Sequence, residues 1–291
     1  MKIQSLSVVV PPVGGGKCIN DCRFCVAKMK PAQFVNQIEG NLRFYDLYRR
    51  QYIERLAFAR DNGCNTVMLT GDCEPQQNRG FLIKFSEFNA ALEHPFRNIE
   101  MQTTGVSLDE GYLRFLRNTV GVSTVSVSVS DLFDEANNRA IIGAKSALNV
   151  EALCQELRRY DFNIRLSLNL SDSFSRHSVA AIFDRCRALS ADQVTFRVLY
   201  SSHTGSEQDQ WIEAHRAPEE FIAAIEAYIE GCGRPFHQLE YGALQYDVQG
   251  MSVVVDKDCM SKEITGDYKY LILQPNCKLY SQWDMPASLI F

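Results

Sequence analysis

The chain has 291 residues, 46% of them hydrophobic, and a formal net charge of −5. That size and composition suit one large core with at most a small appendage, and the acidic balance excludes a protein that coats nucleic acid through general electrostatics. The apolar run Leu6 to Val13 is broken by Pro11 and Pro12 and is too short to span a bilayer, so no membrane insertion is expected. Without a secretory signal, and with 10 cysteines in no disulfide-like framework, the chain is expected in a reducing cytoplasm.

A first strand is expected at Leu6–Val10, and soon after it comes Lys17-Cys18-Ile19-Asn20-Asp21-Cys22-Arg23-Phe24-Cys25, a CX3CX2C run. Thiolates this close together on one loop select iron–sulfur chemistry, yet a ferredoxin cluster takes four cysteines and this loop offers three. A missing protein ligand leaves one metal position open, the mark of a catalytic centre. A chance run of this kind has odds of roughly one in a hundred at this cysteine frequency. Zinc with a fourth ligand from elsewhere is the alternative, although the next cysteine is Cys64 and the first histidine is His94.

Apolar spacing of three to four residues then predicts a helix over Asn41–Arg60, through Leu42, Tyr45, Leu47, Tyr52, Leu56 and Phe58. The second strand, Thr66–Thr70, ends in Gly71-Asp72-Cys73-Glu74-Pro75. Such a turn presents carbonyls and carboxylates to an ammonium group, or is an ordinary βα turn. Cys73 reads first as a small packing residue. A helix over Phe81–Leu92 leads to a third strand, Ile99–Thr103, which ends in Gln102-Thr103-Thr104-Gly105.

After a helix at Tyr112–Leu116, the fourth strand, Thr124–Ser130, sets Ser126, Ser128 and Ser130 on one face and valines on the other. That polar face suits a binding lumen, or a half-exposed edge strand. A helix at Val150–Tyr160 precedes the fifth strand, Asn163–Leu170, in which Arg165, Ser167 and Asn169 alternate with leucines. A helix at Val179–Leu189 precedes the sixth, Gln193–Tyr200, where Arg197 sits among apolar residues. A buried arginine is costly without an anion, which a ligand carboxylate or a structural Asp or Glu would supply. A last helix spans Pro218–Ile229, with Pro218 in its first turn and Gly231 and Gly233 beyond its end.

Six β/α units with right-handed crossovers predict an α/β fold, a partial (β/α)6 TIM-like barrel, with a doubly wound sheet as the alternative. The barrel is assigned to residues 1–235, and residues 236–291 to a short β-rich C-terminal capping extension of hairpins over Glu240–Met260 and Asp267–Trp283. No histidine pairing points to a metal, and Cys259 and Cys277 lack the neighbours that a second cluster requires.

The cysteine run, with Phe24 before its third cysteine, and the Gly71–Pro75 turn resemble the motifs of the radical S-adenosylmethionine (radical SAM) superfamily, except that Cys73 stands where a second glycine is usual. The resemblance implies that Cys18, Cys22 and Cys25 bind a [4Fe–4S] cluster whose open iron takes S-adenosylmethionine. It implies cofactor contacts at Phe24, at Gly71, Asp72, Cys73 and Glu74, at Ser128 and Ser130, and at Asn169 and Arg197. It also implies reductive cleavage to a 5′-deoxyadenosyl radical that abstracts hydrogen from a substrate, with one electron from a donor such as flavodoxin or ferredoxin. The lack of auxiliary cysteines leans toward a small molecule or nucleotide as substrate. Peptide modification and activation of a partner enzyme stay open, as does a non-catalytic iron–sulfur carrier or redox sensor with Cys73 as the fourth ligand.

Overall fold

The computed structural model of the chain describes residues 1–39, 47–239, 244–257, 263–264 and 266–291. The six expected strands are present as β1 (Lys2–Val10), β2 (Thr66–Gly71), β3 (Asn98–Thr103), β4 (Thr124–Val129), β5 (Asn163–Leu170) and β6 (Gln193–Val198). They pair in parallel and in chain order. Sequential order excludes the doubly wound alternative, which needs a reversal of strand order. β4 lies between β3 and β5, so its serines do not belong to an edge strand.

The C-terminal segment forms antiparallel pairs. β7 (Arg234–Gln238) and β9 (Met251–Asp256) flank β8 (Leu244–Val248), and β10 (Glu263–Ile264) and β12 (Leu279–Tyr280) pair with β11 (Asp267–Leu273). Of these pairs, β8–β9 and β11–β12 lie within the expected hairpin ranges. Two of these strands do more than form hairpins. β9 runs parallel to the free edge of β6, and β11 runs parallel to the free edge of β1. Eight strands are thus parallel, in the order β11-β1-β2-β3-β4-β5-β6-β9, and the sheet stays open between β11 and β9.

The helices are α1 (Ala32–Glu39), α2 (Arg49–Asp61), α3 (Arg79–Ala90), α4 (Glu110–Phe115), α5 (Glu135–Ile142), α6 (Val150–Arg159), α7 (Val179–Ala188), α8 (Glu207–His215) and α9 (Glu219–Cys232). Apolar periodicity pointed to six of them and missed α1, α5 and α8. Leu42 and Tyr45, and Cys259 in the hairpin segment, lie outside the described residues. α9 begins one residue after Pro218, runs through Gly231 and stops at Gly233. Asn78, Asp109, Asp134, Asn149, Ser178 and Ser206 each cap a helix by accepting from a backbone N–H in its first turn.

Alternate strand positions face opposite ways, so each strand contributes to two surfaces. Val125, Val127 and Val129 of β4 and Ile164, Leu166 and Leu168 of β5 are fully buried in the main hydrophobic core, with Phe81, Phe85, Leu153 and Phe183 from the helices. Positions of opposite parity, such as Gln102, Ser128, Arg165, Asn169 and Arg197, line a lumen instead. The hydrophobic core therefore lies between strands and helices, and the opposite faces of the strands line the lumen with polar and apolar groups together.

Candidate active site

The lumen is a cavity of about 740 Å³ inside the barrel, with the cysteine loop as part of its wall. Several bonds hold that loop in place. Asp21 and Arg23 donate their backbone N–H groups to the Ile142 and Ile141 carbonyls at the end of α5, at 3.1 and 3.0 Å. Gly143 follows with φ +61, and a Cβ there would lie 2.7 Å from the Asp21 carbonyl oxygen. Only a glycine allows that approach without displacement. On the other side, the Ile19 N–H donates to Gln77 Oε1 at 2.9 Å, and the Asn20 amide donates to Glu74 Oε1 at 3.0 Å and Thr104 Oγ1 at 2.8 Å.

Glu74 is 7% exposed and is the hub of this arrangement. Besides Asn20, it accepts from Gln76 Nε2 at 2.9 Å, from the Thr103 hydroxyl, and from the Thr104 N–H at 3.1 Å. Both oxygens are therefore engaged by protein donors, and Glu74 does not line the lumen. Its place is behind the loop, tying the ends of β2 and β3 to Asn20. Gly71 does line the lumen, and a Cβ on it would meet the Val10 carbonyl at 2.5 Å.

Asp72 is likewise occupied. It pairs at 2.6 Å with Lys30, whose side chain is 1% exposed and whose ammonium lies 4.6 Å from the centre of the Trp283 ring. A buried lysine needs such partners. Cys73 is buried and points its thiol at the Val10 carbonyl, 3.8 Å away. Burial, and after it the nearby Cys18, push that thiol up to about 12.

Cys22, Phe24 and Cys25 line the lumen, and Cys18 is close enough to Cys22 to act on its ionisation. Burial raises all three thiols. For Cys22 the rise is large, and proximity to Cys25, Glu74 and Cys18 adds to it. The backbone N–H of Asn20 donates to Cys18 Sγ at 3.4 Å. Three thiols close enough to oppose one another's ionisation become thiolates together only with positive charge among them, so the donor set fits an iron–sulfur cluster. Among the described residues no three His, Cys, Asp or Glu side chains converge as one metal ion would require. A cubane asks something different, since each thiolate binds its own iron. Phe24 also packs against Trp211 of α8, with centroids 6.1 Å apart.

Away from the cysteines, Ser128, Asn169 and Arg197 line the cavity. Asn169 is 4% exposed, and its Nδ2 has no partner among the described residues. A buried amide donor without a partner is costly, which marks a place for a bound acceptor. Arg197 lies between Asn169 and Asp256 in register. Ser130 is fully buried and does not line the lumen; its backbone N–H donates to Asn138 Oδ1 at 2.8 Å, while its hydroxyl has no partner among the described residues. Of the residues expected at the site, Cys22, Phe24, Cys25, Gly71, Ser128, Asn169 and Arg197 meet at the lumen, whereas Cys18, Asp72, Cys73, Glu74 and Ser130 do not line it.

Sequence reasoning missed Lys30, Trp283 and the lumen-facing Lys269 and Asp256, which pair at 2.6 Å across the gap between β11 and β9. A lone Lys or Trp carries no spacing signal. The alternation Met251-Ser252-Val253-Val254-Val255 ending at Asp256 did mark a strand, but not which edge it would join.

The sequence pattern of the radical SAM superfamily matches residues 13–184, more than half of the chain. No curated protein matches. Among solved structures, anSMEcpe with bound AdoMet and Kp18Cys peptide aligns over 98% of this chain and 76% of its own, at 11% identity and a TM-score of 0.57. Coproporphyrinogen III oxidase (HemN) from Escherichia coli, described as a radical SAM enzyme, aligns over 80% of this chain at 17% identity and a TM-score of 0.55. The chain spans about half the length of that oxidase, 54%. At these identities the likeness is one of fold: a mixed α/β partial barrel with a largely parallel, unclosed sheet.

Proposed function

This chain belongs to the radical SAM superfamily and is an enzyme of that class, and from this premise we propose that it uses the lumen of its partial barrel to remove a hydrogen atom from a small molecule. Enzymes of the family use a [4Fe–4S] cluster and S-adenosylmethionine and need a reductant. In our reading Cys18, Cys22 and Cys25 hold the cluster, and a flavodoxin or ferredoxin supplies the electron. The bound pair supplies a one-electron reductive cleavage of S-adenosylmethionine, the source of a carbon radical that takes hydrogen from substrate.

The chain's own residues have separate tasks in this reading. Glu74 and Asn20 fix the loop, and Gly71 lets the β2 turn approach the cavity without a side chain in the way. Ser128 and the unpartnered amide of Asn169 offer hydrogen bonds to the cofactor's polar groups, and Arg197 offers charge to a carboxylate. Phe24, backed by Trp211, shields the cluster side from water. Asp72, Cys73 and Ser130 act through the backbone that they position. Residues 236–291 act as the capping extension, bringing Asp256, Lys269 and Trp283 to the wall of the residue 1–235 barrel.

The observation that carries this reading is the convergence, on one lumen, of cysteine thiols and a buried amide with no partner among the described residues. The test is release of 5′-deoxyadenosine from S-adenosylmethionine by anaerobically reconstituted, dithionite-reduced protein. Release that depends on Cys18, Cys22 and Cys25 is expected. A full cluster signal with no release, with and without candidate substrates, would count against the enzyme reading.

A further inference from the structure

Two residues of the lumen wall are more than nine-tenths buried and keep a hydrogen-bond donor with no acceptor among the described residues. One is Asn169 on β5. The other is Trp283, 6% exposed, whose indole Nε1–H is unmatched. A phenylalanine would bring an aromatic ring to this place without the cost of an unmatched buried donor. The indole nitrogen therefore asks for an acceptor on a bound molecule.

The ring is fixed on several sides. It packs with Val9 and Ile272, and with Val26, the residue after Cys25. The Lys30 ammonium lies 4.6 Å from its centre and pairs at 2.6 Å with Asp72, next to Gly71 in the β2 turn. The following residue, Asp284, accepts from the Tyr200 hydroxyl at 2.9 Å, just beyond β6. Trp283 thus touches the end of the cysteine loop directly and the β2 turn through Lys30, and its donor is held in place before anything binds.

An iron left open by a three-cysteine loop suits the α-amino acid end of S-adenosylmethionine, whose nitrogen and one carboxylate oxygen form a chelate. The second carboxylate oxygen stays free to accept. An indole N–H only donates, so it suits that oxygen and no other group at that end of the molecule. We propose that Trp283 is a specificity-determining residue for the cofactor, donating its indole N–H to the carboxylate of S-adenosylmethionine. The inference rests on the reading above, in which the lumen holds S-adenosylmethionine, and adds to it a contact from the C-terminal extension.

The test is calorimetric titration of S-adenosylmethionine into the reconstituted, unreduced protein, beside infrared difference spectra with the cofactor's carboxylate labelled with carbon-13. Trp283→Phe keeps an aromatic face for Lys30 and removes the N–H. It is expected to weaken binding about tenfold and to shift the labelled carboxylate band relative to the unmutated protein. Iron content and circular dichroism verify that cluster and fold are kept. Should the variant fail to fold, ultraviolet resonance Raman spectra of the unmutated protein read the same contact, because an indole N–H band must shift when S-adenosylmethionine binds. Equal affinity in the variant overturns the inference, and so does an unshifted carboxylate or indole band. Weaker binding with an unshifted carboxylate band marks a merely structural ring. Each of these outcomes leaves the enzyme reading standing, whereas no binding to the unmutated protein counts against that reading and removes this inference with it.

Discussion

At the residue scale, the buried carboxylate of Glu74 gathers donors from three parts of the chain: Asn20 in the cysteine loop, Gln76 in its own turn, and Thr103 and Thr104 at the end of β3. Removing it strands those donors inside the protein, each costing about 1–3 kcal/mol when unpaired. Glu74→Ala is therefore expected to lower unfolding stability by about 2–4 kcal/mol in urea titrations. It should also reduce the iron retained per chain, because Asn20 loses its anchor. Cys22→Ala acts differently: it should abolish the visible absorbance of the cluster while the apo-protein keeps its circular dichroism. The carboxylate was legible in the sequence as part of the turn that follows β2, but its partners were not. Whether an acid faces a ligand or the backbone behind it depends on which neighbours reach it, and Asn20 and Thr104 lie 54 and 30 residues away.

At the scale of elements, α5 shows how local signals fail where tertiary contacts decide. Its sequence, Glu135-Ala-Asn-Asn-Arg-Ala-Ile-Ile, contains two asparagines of weak helix propensity and spans barely two turns. Its stability comes from tertiary partners: Asn138 accepts from the Ser130 and Asp131 N–H groups, and Ile142 packs fully buried in the core. The C-terminal carbonyls of this helix receive the cysteine loop, and Gly143 makes room for it. Gly143→Ala would put a Cβ 2.7–2.9 Å from Asp21 at a φ of +61. A cost of about 1–3 kcal/mol is expected, with displacement of the loop. The expected outcome is a folded barrel with much reduced cluster incorporation, checked by iron content beside a thermal melt. Full incorporation at wild-type stability would mean that the loop does not need this clamp.

At the scale of the whole molecule, buried thiols link stability to pH. Burial pushes Cys64, Cys154, Cys186 and Cys277 from the ordinary value of 9.0 to about 12. A raised value in the folded state means that the native protein keeps these protons where the unfolded chain loses them. The contribution is full below pH 9 and is lost as pH rises from 9.0 to about 12. Urea midpoints measured anaerobically should fall steeply over that interval, by up to about 1.4 kcal/mol per pH unit for each thiol, and less steeply in Cys64→Ala. A flat profile would mean that these thiols ionise as readily in the folded state as in the unfolded chain.

The sequence by itself determined the CX3CX2C loop, the six β/α units and the two alternating faces of β4 and β5. Each of these is written in short spacings, whether CX3CX2C, a period of two or a period near 3.6, that neighbouring residues carry without reference to the rest of the chain. Tertiary structure alone decided that β9 and β11 extend the two edges of the sheet. It alone decided that Lys269 meets Asp256 across the remaining gap, and that Glu74 and Asp72 turn to Asn20 and Lys30. Strand alternation marks which face of a strand is buried but not which free edge it will join. A charged side chain likewise finds its partner only when the chain's folding brings distant segments together.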